Sequence, residues 1–249
     1  MLVSQGVIFM RLGQWETAGT LLRQALSLSR PIHNTLLESE TQCYLTALAN
    51  SQGKPEEALI HGEEALRLEK DRDCRASALL SLGRALDTLG RQDQAIAAFQ
   101  EASTIHRDLG KLNPVAEVEA ELAHLYWRQD RPEQAHTYLE NILHYLEVSD
   151  EDPGGPGNVQ TLSARQRLEG TEEPVQLYLT CYQVLQTLGD GRADHVLALG
   201  VRLLVETAGR LTDLALRRSF LEEVPAHRQI RQEWKAKWGT TALNVLEVV

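Results

Sequence analysis

Most protein chemistry is done by histidine, cysteine and carboxylate side chains, and this chain of 249 residues holds 8 His, 3 Cys and 35 Asp+Glu. Their spacing builds no catalytic or metal-binding constellation. Cys43, Cys74 and Cys181 stand far apart with no Cys-x-x-Cys, so neither a zinc knuckle nor a disulfide framework is indicated, and they read as small apolar core residues. His136 and His144 share a possible helix face, but no Cys or carboxylate triad stands with them. The phosphate loop Gly-x-x-x-x-Gly-Lys-Ser/Thr, the dinucleotide turn Gly-x-Gly-x-x-Gly, His-Glu-x-x-His and Gly-x-Ser-x-Gly are all missing. The expectation is therefore a protein that is not an enzyme, with no catalytic residue, cofactor or metal. What remains is binding chemistry. Arg and Trp are enriched in interface hot spots, which singles out Arg84 and Trp127, together with Asp87 and His124 on the same helices.

Those residues are positioned by a repeat. Arg11-Leu-Gly13-Gln-Trp15-Glu-Thr-Ala18, Ser51-Gln-Gly53-Lys-Pro55-Glu-Glu-Ala58, Thr88-Leu-Gly90-Arg-Gln-Asp-Gln-Ala95 and Arg128-Gln-Asp130-Arg-Pro132-Glu-Gln-Ala135 align without gaps. The four alanines are 40, 37 and 40 residues apart. A helix-period apolar stretch precedes each turn and another follows it, so each unit is a helix hairpin. Gly13, Gly53 and Gly90 supply the positive φ that ends a helix, Asp130 substitutes for glycine in the fourth unit, and Pro55 and Pro132 suit the first turn of the next helix. Ala18, Leu22 and Ala25, like Ala95, Phe99 and Ala102, mark a buried face. Glu56, Glu57 and Glu133 fall in first helical turns, where they complement the dipole and would repel phosphate.

The pattern resembles the tetratricopeptide repeat, whose signature is Leu-Gly-x-x-Tyr in the first helix and Ala-x-x-x-Phe followed by Ala in the second. Here the first-helix element reads Gly6-x-x-Phe9, Leu45-Thr46-x-x-Ala49, Leu82-Gly83-x-x-Leu86 and Leu122-Ala123-x-x-Tyr126, and the third unit is nearest to consensus. The resemblance implies an all-α, right-handed α-α superhelix of antiparallel helix hairpins with a helical C-terminal cap, in which first helices line a concave groove. The groove row would read Val3, Val7 and Met10; Cys43, Ala47 and Asn50; Leu80, Arg84 and Asp87; Ala120, His124 and Trp127. The Lys and Asn that clamp a terminal carboxylate in some repeat proteins are replaced here by Val7, Ala47, Arg84 and His124. Trp127 has a competing reading as a cap on the core between the fourth and fifth units.

Three regions are expected: residues 1–148 as four helix hairpins, 149–158 as a Pro/Gly/acidic linker or loop, and 159–249 as a helical region with a degenerate fifth repeat and capping helices. Within the last, helices are expected near 158–168, 175–188, 193–207, 211–223 and from Pro225 to near Trp238. The segments around Leu177–Leu185, Gly189–Ala193 and Arg217–Arg228 also resemble the C-terminal ends of large bacterial regulators, in which a signalling ATPase, sometimes with a nucleotide-cyclase domain, precedes a tetratricopeptide array. Arg217 and Arg218 are read as favouring the C-terminal end of their helix, and Phe220, Leu221 and Val224 as core.

Composition agrees with an interaction module. The net charge is -10, all of it in residues 1–158, which disfavours nucleic acid as a partner. No apolar run reaches the roughly 18 residues that span a bilayer, and no leader pattern opens the chain, so a cytoplasmic address away from membranes is expected. The apolar first helix suggests that another chain packs before it or that the sequence is a fragment of a longer protein with earlier repeats, and that residues 1–30 would be the first lost to protease. The expected function is a non-enzymatic protein-interaction module in a bacterial signalling system, with a protein or peptide partner such as an ATPase or cyclase effector domain. The rival is a small-molecule-sensing helical domain that controls an ATPase, cyclase or transcription regulator.

Overall fold

A computed structural model describes residues 1–68, 71–146, 148, 168 and 171–239, and among these every regular element is a helix. They are α1 (Leu2–Arg11), α2 (Trp15–Ser29), α3 (Thr35–Ser51), α4 (Pro55–Leu68), α5 (Arg72–Thr88), α6 (Gln92–Asp108), α7 (Leu112–Arg128), α8 (Pro132–Tyr145), α9 (Pro174–Leu188), α10 (Ala193–Gly209), α11 (Leu214–Glu222) and α12 (Pro225–Trp238). The expected linker at 149–158 lies outside the described residues, as does all but the last residue of the expected helix at 158–168. The chain forms two compact units, Met1–Val118 and Glu119–Val249, with the division inside α7.

The turns form for the reasons their residues suggest. Gly13, Gly53 and Gly90 have φ of 74°, 68° and 74°, and Asp130 has 57°. Each closes the same pair of backbone bonds: Gly90 N–H to Asp87 C=O and Arg91 N–H to Leu86 C=O, at 2.9 and 2.8 Å, are matched by Asp130 to Trp127 and Arg131 to Tyr126, both 3.0 Å. These bonds satisfy carbonyls that a helix end leaves unpaired. Gly110 ends α6 in the same way, at φ 69°. Ala18, Ala58, Ala95 and Ala135 are fully buried, because only a methyl fits where the second helix crosses the first.

In the first unit, α1 packs on α3 and α3 on α5, while α2 and α4 each pack between the first helices that flank them. First helices therefore form one layer and second helices the other. Gly83 permits the closest approach: a Cβ there would lie 2.4 Å from Cε1 of Phe99. In the second unit α9 and α10 form a hairpin and α12 packs against both, burying Ala226, Ile230 and Trp234. Tyr126 and Tyr138 stack 5.7 Å apart, joining α7 to α8.

Candidate functional site

Helical period decides which first-helix residues a partner can touch. The leading residue of each expected trio, Val3, Cys43, Leu80 and Ala120, is at most 8% exposed. These four belong to the core rather than to the groove. The next two positions reach solvent and are half-buried: Val7 and Met10 on α1, Ala47 and Asn50 on α3, Arg84 and Asp87 on α5, His124 and Trp127 on α7.

Part of this row is already occupied by the protein itself. Arg84, whose side chain is 15% exposed, donates from Nη2 to Oε1 of Glu117 at 3.0 Å, and Glu117 is 2% exposed. Asn50 donates from Nδ2 to the Ser81 carbonyl at 2.7 Å. Arg84 therefore joins α5 to α7. The sequence signal for Glu117 was its register: it sits one repeat on, a turn ahead of the partner row.

Arg84 and Asp87 lie in the first unit, and His124 and Trp127 in the second. The His124 and Trp127 rings stack with centroids 6.0 Å apart and planes 27° from parallel. Trp127 is half-buried. No disulfide joins the cysteines: Cys43 and Cys181 are buried and Cys74 is half-buried, and burial pushes the Cys181 thiol up to about 12, a poor nucleophile. No group of three His, Cys, Asp or Glu among the described residues could hold a metal ion. No helix among them is long and apolar enough to cross a membrane.

Two side-chain clusters that spacing did not reveal organise the second unit. Arg192 spans Asp190 at 2.6 Å and Glu140 at 2.5 Å, tying α8 to the turn before α10, and it holds both carboxyls below the usual range. At the corner between α11 and α12, the carbonyls of Ser219, Phe220, Leu221 and Glu222 accept from Glu223 N–H, His227 Nδ1, Arg231 Nη1 and Arg228 Nη1. Phe220 and Leu221 are buried, and Val224 is half-buried. Arg217 does not serve its own helix end; it reaches back to the Leu211 carbonyl, and Arg218 pairs with Glu222.

Family models described as tetratricopeptide repeat match residues 1–71, 76–109 and 116–141. No curated protein sequence matches the chain. Among solved structures, the Rap protein complexed with competence and sporulation factor is similar at 14% identity and TM-score 0.58, over 99% of this chain and 62% of that one. This chain thus spans less than two thirds of the Rap protein. Pseudomonas aeruginosa pilF is similar at 17% identity and TM-score 0.53, over 99% of this chain and 94% of its own, and BtubC (BKLC) from P. vanneervenii at 18% and 0.52, over 93% and 91%. At these identities the likeness is one of fold.

Proposed function

The chain belongs to the tetratricopeptide-repeat family, and on that premise we propose that it is a protein-interaction module whose first helices hold a peptide or protein segment. The observation that carries this reading is the half-buried row on the first helices, above all the stacked His124 and Trp127. Packing leaves these aromatic faces partly open to water, although a core would gain by sealing them. Arg84, Asp87, His124 and Trp127 are the proposed contact residues, with Arg84 acting chiefly by holding Glu117 in place. The Rap protein is described in complex with a factor, which agrees with a ligand-holding use of this fold.

At the finer level, the module is the sensing or regulatory part of a cytoplasmic bacterial signalling system, with an ATPase or cyclase domain as effector. Its mechanism is linkage: a partner that binds one arrangement of the hairpins better than another shifts the effector by that difference in affinity. The test is affinity capture with the wild-type chain and with Trp127→Ala, which leaves the Arg84–Glu117 pair intact. Enrichment of one partner by the wild type alone, at equal melting temperatures, supports the reading, and an ATPase or cyclase as that partner supports the signalling role. Identical proteins on both baits overturn the assignment of Trp127.

A further inference from the structure

Two of the three cysteines fall on helices that pack side by side in the first unit, Cys43 on α3 and Cys74 on α5. Cys43 shares an apolar cluster with Ala65 of α4 and Ala78 of α5. Further along, a Cβ on Gly62 would meet both Thr46 of α3 and Leu82 of α5. These meetings advance together on both helices, so α3 and α5 run parallel. Their register is fixed by Asn50, which donates from Nδ2 to the Ser81 carbonyl at 2.7 Å. Seven residues toward the N-terminus, Asn50 gives way to Cys43 on α3 and Ser81 to Cys74 on α5. Seven residues are two turns and return a helix to nearly the same face, with a drift of about 20°. Cys74 is also one turn before Ala78, which faces Cys43 and is 1% exposed. The two thiols therefore belong to the facing surfaces of α3 and α5.

We infer that Cys43 and Cys74 form a reversible oxidation site, closed by a disulfide between α3 and α5 when a hydroperoxide reaches Cys74. The spacing of packed helices suits the bond. Axes about 8–10 Å apart, with Cα atoms at a radius of about 2.3 Å, leave facing Cα atoms about 4–6 Å apart. A disulfide needs about 4.4–6.8 Å, and Ala65 and Ala78 beside the pair are small enough to keep the helices close. Exposure sets the order of events. Cys74 is half-buried and reachable, whereas Cys43 is 8% exposed and closed to a second protein molecule, so the partner it can find is within its own chain. The Cys74 thiolate attacks the peroxide, an S–O bond forming as the O–O bond breaks, and one oxygen leaves as water. The Cys43 sulfur then attacks the sulfenic sulfur of Cys74. The S–S bond forms, the S–O bond breaks, and the second oxygen leaves as water with the Cys43 proton. The bond would join positions 31 apart and fix the second hairpin to the third, and with them Ala47 and Asn50 relative to Arg84 and Asp87. Cys181 takes no part, since it is inaccessible and lies in the other unit.

The experiment treats the full, folded chain with hydrogen peroxide and reads the product by intact mass, by a non-reducing peptide map and by thermal unfolding. The expected product is a monomer lighter by about 2 Da, with one linked peptide pair holding Cys43 and Cys74, restored by dithiothreitol. Its melting temperature should rise by at least about 5 °C, because the closed loop constrains the unfolded chain. Cys43→Ala and Cys74→Ser should each abolish the link, and Cys181→Ser should leave it unchanged. The wild-type map decides the matter even if a variant folds poorly. Cys74 that stops at sulfinic acid while Cys43 stays a thiol overturns the inference, as do dimers linked through Cys74. A link that forms only in denaturant, or that lowers the melting temperature, also overturns it, because either result would show that the native fold holds the two thiols out of reach.

Discussion

A single methyl group separates two roles of glycine in this chain. A Cβ on Gly83 would stand 2.4 Å from the ring of Phe99, itself 1% exposed and unable to retreat, whereas a Cβ on Gly90 would meet nothing within 4 Å. Gly83→Ala should therefore cost about 1–3 kcal/mol through overpacking, and Gly90→Ala about 1 kcal/mol through its φ of 74° alone. Thermal unfolding of the two variants gives the order; an equal loss would show that the Phe99 ring yields. His227 makes a second residue-scale prediction. Burial lowers its pKa to about 4, against the weaker opposing effect of its bond to the Phe220 carbonyl, and the Phe220 ring lies 4.2 Å from the imidazole. With the folded pKa below the unfolded one, neutral His227 contributes full stability above about pH 6.5, and this is lost as pH falls from there toward 4, by at most about 3 kcal/mol. Denaturant titrations at pH 7 and 4.5 should show the wild type losing its margin over His227→Gln. Burial also lowers the His106 pKa, which adds acid sensitivity common to both proteins.

Between elements, the decisive contacts are those that one helix makes to complete another. Arg84 on α5 meets Glu117 on α7, and Arg84→Ala would leave a carboxylate that is 2% exposed without its guanidinium. The expected cost is about 3 kcal/mol, and Arg84→Met with Glu117→Leu should recover most of it, because a buried pair is harder to break than to replace. Chemical denaturation of both variants tests this, and a mild single variant would show that Glu117 relaxes into water. The same logic governs the corner between α11 and α12, where His227, Arg228 and Arg231 accept the duty of capping the short helix α11. Residues that looked like a family signature in the sequence thus have a structural task.

At the scale of the molecule, each hairpin of a repeat array packs mainly on its neighbours, so damage should stay local. A Cβ on Gly200 would come within 2.5 Å of Cδ1 of Ile230 and 2.7 Å of Cβ of Tyr178, joining α10, α12 and α9 in one clash. Gly200→Ala should accelerate amide exchange through α9, α10 and α12 while leaving α2, α3 and α4 at wild-type rates; acceleration everywhere would mean that the two units unfold as one. The sequence by itself determined the repeat: turn glycines, first-turn prolines and buried alanines act through local backbone sterics and the 3.6-residue period, so Pro55, Pro132 and Pro225 open their helices where their positions predict. It also named the first-helix row, including His124 and Trp127. Only the tertiary structure decided which side chains of that row are buried or already paired, because the answer depends on pairings between repeats. Val3, Cys43, Leu80 and Ala120 turn into the core, and Arg84 is committed to a carboxylate 33 positions away. Local sequence fixes which way a side chain leaves its helix, but what it meets there is set by a neighbour placed by the packing of the repeats.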